Sequence, residues 1–335
     1  MLLLSGLVSA TPAAAATAEP AAPVARCTMT DPRLAELSGL VADADGWYAV
    51  NDGGTSVTVY AVGRDCVVQR EIGADLDPYD VEDLARAPDG TFWLSDTGDN
   101  DRDRETIALI ALTPDGDGTL YRLTYPDGAH DAEALLLDRA GTPYVVTKST
   151  SGNAKVYRPA AELTSPGPTP LELVGSVRIS PTTTSGGPVP GFVGSVTVTG
   201  GATSQDGSVV ALRTYTDAYL WHVDGDLVAA LSTEATRVPL PDEAQGEAIA
   251  FEPDGTLVSA SEGTGEPVRV VPGAADLVAP PPPSSPPAPS PEPEPVAEDP
   301  ADDPTDPGLP VLPAAVVAVA LVGGVFLLLR RGSRR

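Results

Sequence analysis

Five oxygen-bearing residues recur in one local setting: Ser38, Glu82, Glu133, Thr199 and Glu247. Each opens a short apolar run, and a turn glycine follows eight residues later in every case (Gly46, Gly90, Gly141, Gly207, Gly255). Brought together, three carboxylates and two hydroxyls make an all-oxygen donor set. Like charges in a confined site repel, so such a set calls for a neutralising cation or for basic neighbours and water. Calcium takes several oxygen ligands at flexible geometry and suits this chemistry. Zinc, which prefers Cys and His, does not. The competing expectation is that the Glu side chains act as staples, bonding backbone amides of the next repeat.

A second set lies at the ends of the runs that follow each turn: Asp52, Asp96, Lys148, Arg213 and Glu262. These are expected around the same opening as the first set. Their mixture of acids and bases suits ligand binding, with Lys148 and Arg213 able to hold an anionic group. Solvated strand ends are also polar, which leaves a plain structural alternative. The loop after Asp96 contains Asp99, Asn100, Asp101 and Asp103. That is the composition of a calcium loop without the EF-hand spacing, so a solvated turn fits equally. His130, just before Asp131 and Glu133, has the chemistry of a general base. There is neither a Gly-x-Ser-x-Gly elbow nor a P-loop.

The elements that must position these residues are short strands. The recurring residues are 44, 51, 66 and 48 positions apart. Repeats of 40–50 residues built from short β-runs mark propeller blades. Four strands fit each repeat, for example 39–42, 47–50, 57–62 and 66–72 in the first. The last repeat has three, and residues 26–29 are placed to supply the fourth. Closure of that kind removes an exposed sheet edge. It also brings Cys27 towards Cys66, for which a disulfide is expected in an exported chain and a free-thiol pair is the alternative. The expected fold is therefore an all-β, five-bladed β-propeller. A sixth blade within the long third interval is the alternative. Against it, residues 180–191 are dense in Gly and Pro and read as a loop.

Composition sets the compartment and excludes some partners. The 335 residues carry 47 Asp+Glu against 20 Lys+Arg, a formal charge of −27. Nucleic acid is excluded as a partner, since its recognition needs a basic face. The acidity fits plain solubility and also divalent-cation binding. Residues 1–25 read as a signal peptide and lead, though no basic stretch precedes the apolar one. Residues 26–278 form the propeller and 279–308 a Pro-rich linker. Residues 309–329 read as a transmembrane helix, and 330–335 as a basic tail. Arginines favour the cytoplasmic side, so the propeller is expected outside the cell, tethered to the membrane.

Several phrases carry a resemblance: Glu36-Leu37-Ser38-Gly39-Leu40, Val81-Glu82-Asp83-Leu84, Gly98-Asp99-Asn100, His130-Asp131-Ala132-Glu133-Ala134-Leu135 and Ala211-Leu212-Arg213-Thr214-Tyr215. Together they resemble a family of uncharacterised exported β-propellers (WD40/NHL-like) of high-GC Gram-positive bacteria. More distantly, one oxygen ligand per blade resembles the calcium-activated nucleotidase (apyrase) propellers. That likeness implies calcium held by Ser38, Glu82, Glu133 and Glu247, with Thr199 departing mildly. The functional expectation is a membrane-anchored extracellular propeller that binds a ligand or partner at its channel mouth, with calcium. A calcium-dependent hydrolase of a phosphate ester or lactone is the alternative, and a purely structural surface domain a third.

Overall fold

The computed structural model describes residues 19–189 and 191–280. The expected signal stretch up to residue 18, most of the Pro-rich linker, the transmembrane helix and the basic tail lie outside the described residues. Among the described residues no helix is long and apolar enough to cross a membrane.

Among the described residues the structure is almost entirely antiparallel β. After β1 (Val24–Thr28) come β2 (Leu37–Ala42), β3 (Gly46–Asn51), β4 (Val57–Gly63) and β5 (Val68–Ala74). Next are β6 (Val81–Arg86), β7 (Phe92–Asp96), β8 (Ile107–Leu112) and β9 (Gly118–Thr124). The third group is β10 (Ala132–Leu137), β11 (Pro143–Thr147), β12 (Asn153–Pro159) and β13 (Thr169–Arg178). The fourth is β14 (Val198–Thr203), β15 (Val209–Thr214), β16 (Asp217–His222) and β17 (Thr236–Pro239). Last are β18 (Gly246–Phe251), β19 (Leu257–Ser261) and β20 (Pro267–Val271).

Each group is an up-and-down meander, and the last is completed by β1 in the order β1-β20-β19-β18. A short parallel bridge, Thr169–Leu123 and Pro170–Thr124, links the outer strands of the second and third meanders into one sheet. The inner strands β2, β6, β10, β14 and β18 neighbour one another in a closed circle, with β18 returning to β2. This circular arrangement of meanders is a β-propeller.

The core sits between meanders. Among the described residues there are five buried clusters, each shared by two consecutive meanders. Leu40, Trp47 and Ala49 pack on Ala248, Ala250 and Val258, for example, and Val50 and Val59 on Leu84 and Leu94. Inner strands are buried on both faces and so read as continuous apolar runs, as Ala134-Leu135-Leu136-Leu137 does.

The circle is stapled where its ends meet. Cys27 on β1 is bonded to Cys66, in the turn between β4 and β5, with the Cα atoms 5.8 Å apart. Arg64 of the first meander reaches buried Glu252 of the last at 2.5 Å. Residues 180–187 form no strand. They are tied down by Thr182 and Thr184, which donate to Asp217 at 2.7 Å each, and by Ser185, which donates to Asp242 at 2.6 Å.

Candidate functional site: an acidic channel mouth

Every inner strand carries a β-bulge at the same place. The register breaks between Leu37 and Gly39, Val81 and Asp83, Ala132 and Ala134, Val198 and Gly200, and Gly246 and Ala248. The residue skipped in each case is Ser38, Glu82, Glu133, Thr199 or Glu247. A bulge re-aims one side chain out of the ladder's alternation. The recurring residues are thus structurally equivalent, one at the start of each inner strand.

They do not all do the same thing. Ser38 donates to the Glu82 carbonyl at 2.7 Å, and Thr199 to the Gly246 carbonyl at 2.8 Å. These short hydroxyls staple one inner strand to the next. The carboxylates gather instead, though in a different set from the five expected. Oxygen atoms of Glu82, Asp131 and Glu133 all lie within 4.8 Å of one another. One Glu133 oxygen pairs with Lys148, while its Oε2 is buried without a hydrogen-bond partner. Glu247 accepts from Gln245 at 3.0 Å and stands beside Glu262.

The second expected set divides by register. Inner strands meet the next strand at the pairs Leu37–Asn51, Val81–Asp96, Ala132–Thr147, Val198–Thr214 and Gly246–Ser261. One step beyond each pair stand Asp52, Thr97, Lys148, Tyr215 and Glu262. Asp96 is therefore one residue short of the mouth position and Arg213 two short. A shift of one residue turns a strand's side chain to the other face. Asp96 accepts from the Tyr79 and Asp80 amides and from Arg104, fixing the loop before β6.

Arg213 is fully buried. Its guanidinium donates to Glu243, Ser259 and the carbonyls of Thr214, Tyr215, Ala248 and Ala260. All five N–H donors have protein acceptors, which corrects the expectation that Arg213 holds a ligand.

The remaining expected residues take local roles. Asp99 accepts the amides of Asp103 and Arg104 at 3.0 and 3.1 Å, so it caps its own loop, and Asn100 is exposed. His130 bonds Asp127 at 3.1 Å and stands edge-on to Tyr125.

Four residues at the mouth were not among the expected ligands: Asp80, Asp131, Thr97 and Tyr215. The first two stand two positions before Glu82 and Glu133, a repeated Asp-x-Glu spacing that could have found them. Gly98 leaves the space the carboxylates need, since a Cβ there would collide with Asp80 and Glu82.

The electrostatics follow from crowding. Burial, and then the charges of Glu133, Asp80 and Asp52, push the Glu82 carboxyl well above the usual range. Burial pushes Glu133 up as well, against the pull of Lys148 and with a further push from Glu247. Burial and a hydrogen bond shared with Asp52 raise Asp80 to about 7. Burial and the bond shared with Glu247 raise Glu262 to about 9. Burial pulls the Lys148 ammonium down, but Glu133 beside it outweighs that and holds the proton. Burial and Glu133 push the Tyr215 phenol, which bonds Lys148, to about 12. The mouth thus gathers more carboxyl groups than Lys148 can offset, and burial and mutual repulsion favour their neutral forms.

Fold and site together define a β-propeller with an acidic axial mouth. No family model matches the chain, and no curated protein matches it. Solved structures that resemble it include a glucose dehydrogenase, at 13% identity and TM-score 0.44, covering 75% of this chain and 99% of the other. A Myxococcus xanthus glutaminyl cyclase shows 13% identity and TM-score 0.42 over 76% and 99%. A catalytically inactive virginiamycin B lyase from Staphylococcus aureus, with quinupristin, shows 13% identity and TM-score 0.35. The match covers 70% of this chain and 66% of the lyase. With all three TM-scores below 0.5, the architecture rests on the sheet topology itself.

Proposed function

We propose that the chain is a five-bladed propeller, each meander being one blade, whose mouth binds calcium and, beside it, a ligand or partner. The observation that carries this is the unpartnered Oε2 of buried Glu133 within the Glu82–Asp131–Glu133 cluster. A buried carboxylate oxygen without a donor costs about 1–3 kcal/mol, more when charged, and a cation removes that cost. The spacing fits the ion. Calcium–oxygen distances of about 2.3–2.6 Å allow ligands up to roughly 5 Å apart, and the three oxygens lie within 4.8 Å of one another. Asp80 and water would complete the coordination, and the ion would supply the charge that the crowded carboxylates lack.

On this proposal the protein is exported and membrane-tethered, with the propeller outside the cell. β1 and β20 are antiparallel, and both the start of β1 and the end of β20 lie at the end of the propeller remote from the bulges.

A second proposal, a calcium-dependent hydrolase of a phosphate ester or lactone, draws on Lys148 and Tyr215. They stand together beside Glu133, where an ammonium could hold an anionic oxygen. Melting the full chain with calcium or with EDTA tests the ion. At calcium a hundredfold above Kd, binding adds about 2.7 kcal/mol, which for a domain of this size is about 5–10 °C. An unchanged melting temperature would remove the ion from the account. Turnover of nucleotides, phosphoesters or lactones, dependent on calcium and lost in Lys148→Ala, would favour the enzyme over the binder.

A further inference from the structure

The mouth is two-sided. Glu36, Asp52, Asp80 and Glu262 form an arc over the last, first and second meanders, and all four keep part of their surface open to solvent. They act on one another: Asp52 pushes Asp80 up and, together with Glu36, pushes Glu262 up. Lys148 lies on the other side, already paired with Glu133.

That other side carries a projection of different chemistry. From Ile179 to Gln205 the chain has no charged residue, the longest such run in the sequence. The segment crosses the mouth face between the third and fourth meanders. The Gly187 amide donates to the Glu243 carbonyl at 2.7 Å, and a Cβ on Gly187 would stand 3.0 Å from the Tyr215 Cβ. Further on, Val196 packs on Gly152, in the turn that follows Lys148. Between these two anchors Pro188, Val189, Gly191 and Phe192 stand out into solvent, with Val189 44% and Phe192 52% exposed. A Cβ on Gly191 would meet nothing within 4 Å.

The apolar surface is therefore convex. Small ligands are held in concave pockets, so a projection of this kind fits a macromolecule. Apolar surface left exposed and rimmed by polar groups marks such contacts. A bilayer fits poorly, because the neighbouring carboxyls would be carried towards it and stripped of water.

We propose that the mouth face docks a protein that presents a lysine or arginine side chain beside an apolar patch. The basic side chain enters the arc of Glu36, Asp52, Asp80 and Glu262, and the patch covers Val189 and Phe192. The docking rests on the reading of the mouth as a partner site and names that partner's chemistry. Complementary charge steers the encounter and fixes register, and the apolar contact beside it supplies a desolvated anchor.

Calorimetric titration of the full chain, at physiological ionic strength, with a capped decapeptide of alternating leucine and lysine tests this. Saturable binding of one peptide per chain is expected, in EDTA as well as in calcium. The leucine–glutamate counterpart should not bind, and the serine–lysine counterpart should bind at least tenfold more weakly. The double variant Val189→Ser, Phe192→Ser changes only exposed side chains. It should weaken the leucine–lysine peptide at least tenfold and leave the serine–lysine peptide unchanged. Asp52→Asn combined with Glu262→Gln should weaken both peptides. Absence of saturable binding, or equal affinity in the Val189→Ser, Phe192→Ser variant, would overturn the proposal. So would binding to phosphatidylcholine vesicles that this variant abolishes, since the projection would then serve a membrane. A chain that binds calcium but not the peptide refutes the docking alone, and one that binds the peptide but not calcium refutes the ion alone.

Discussion

Asp83 on β6 accepts a hydrogen bond at 3.0 Å from the backbone amide of Gly201 on β14, 118 positions later in the chain. The same carboxylate holds the amides of Leu84 and Leu135 at 2.8 Å each. One side chain therefore ties three inner strands inside the channel. Asp83→Ala would leave three buried amides unsatisfied, each costing about 1–3 kcal/mol. We expect a loss of roughly 3 kcal/mol or more in urea unfolding, with Asp83→Asn, which keeps one acceptor, losing less. Equal stability of Asp83→Ala and wild type would show that the tie does not matter.

The shared protons at the mouth make stability depend on pH in a defined direction. Asp80 is raised from 3.8 to about 7 and Glu262 from 4.5 to about 9. The native state therefore binds more protons than the unfolded state between these limits, and stability falls as pH rises through that window. In EDTA the melting temperature should drop steadily from pH 5 to pH 9. Glu262→Gln should flatten the portion between 7 and 9. A melting temperature that rises over this range, or a slope that Glu262→Gln leaves untouched, would contradict the assignment.

Closure of the circle should also be measurable. The Cys27–Cys66 bond spans 39 positions and joins the last meander to the first. Cross-links of this reach contribute about 2–4 kcal/mol by restricting the unfolded chain. The Cys27→Ser, Cys66→Ser double variant should melt about 5–10 °C lower. A shift under 2 °C would mean that β1 pairing alone closes the propeller.

Much of the architecture was legible because its signals are local. The turn glycines mark positive-φ positions such as Gly90 and Gly255, which few other residues tolerate. The residues eight positions ahead of them are the bulges. The supply of the last meander's fourth strand by the N-terminus, and the Cys27–Cys66 bond that follows from it, were also legible. Residues 180–191 read as a loop, and 180–189 form neither strand nor helix, though their ties to Asp217 and Asp242 left no signal in the sequence. The mouth was only partly legible. Which residue ends β7 and β15 at the opening depends on a register set by pairing, so Asp96 and Arg213 were placed there and Thr97 and Tyr215 were not. Ser38 and Thr199 share the bulge with the glutamates, but their length suits them to the neighbouring backbone.

Arg213 and Lys148 offer a contrast between structure and site. Arg213 and Glu243 form a fully buried pair at 2.7 Å. Removing one partner of such a pair costs about 3–5 kcal/mol, because the other charge stays behind unpaired. Arg213→Ala should fail to fold or melt far below wild type whatever the ligand. Lys148→Ala should fold, since Lys148 keeps about a fifth of its side chain exposed, and should strengthen calcium binding by removing a competing cation. Urea unfolding and calcium titration of the two variants would separate the roles. A stable Arg213→Ala or an unfolded Lys148→Ala would reverse them.

Calorimetric titration of calcium into wild type and Glu133→Gln addresses the acidic mouth most directly. One calcium per chain is expected for wild type, with at least a hundredfold weaker binding for Glu133→Gln while its urea unfolding stays close to wild type. Absence of calcium binding in wild type, or equal binding in a folded Glu133→Gln, would contradict a cation held by Glu82, Asp131 and Glu133.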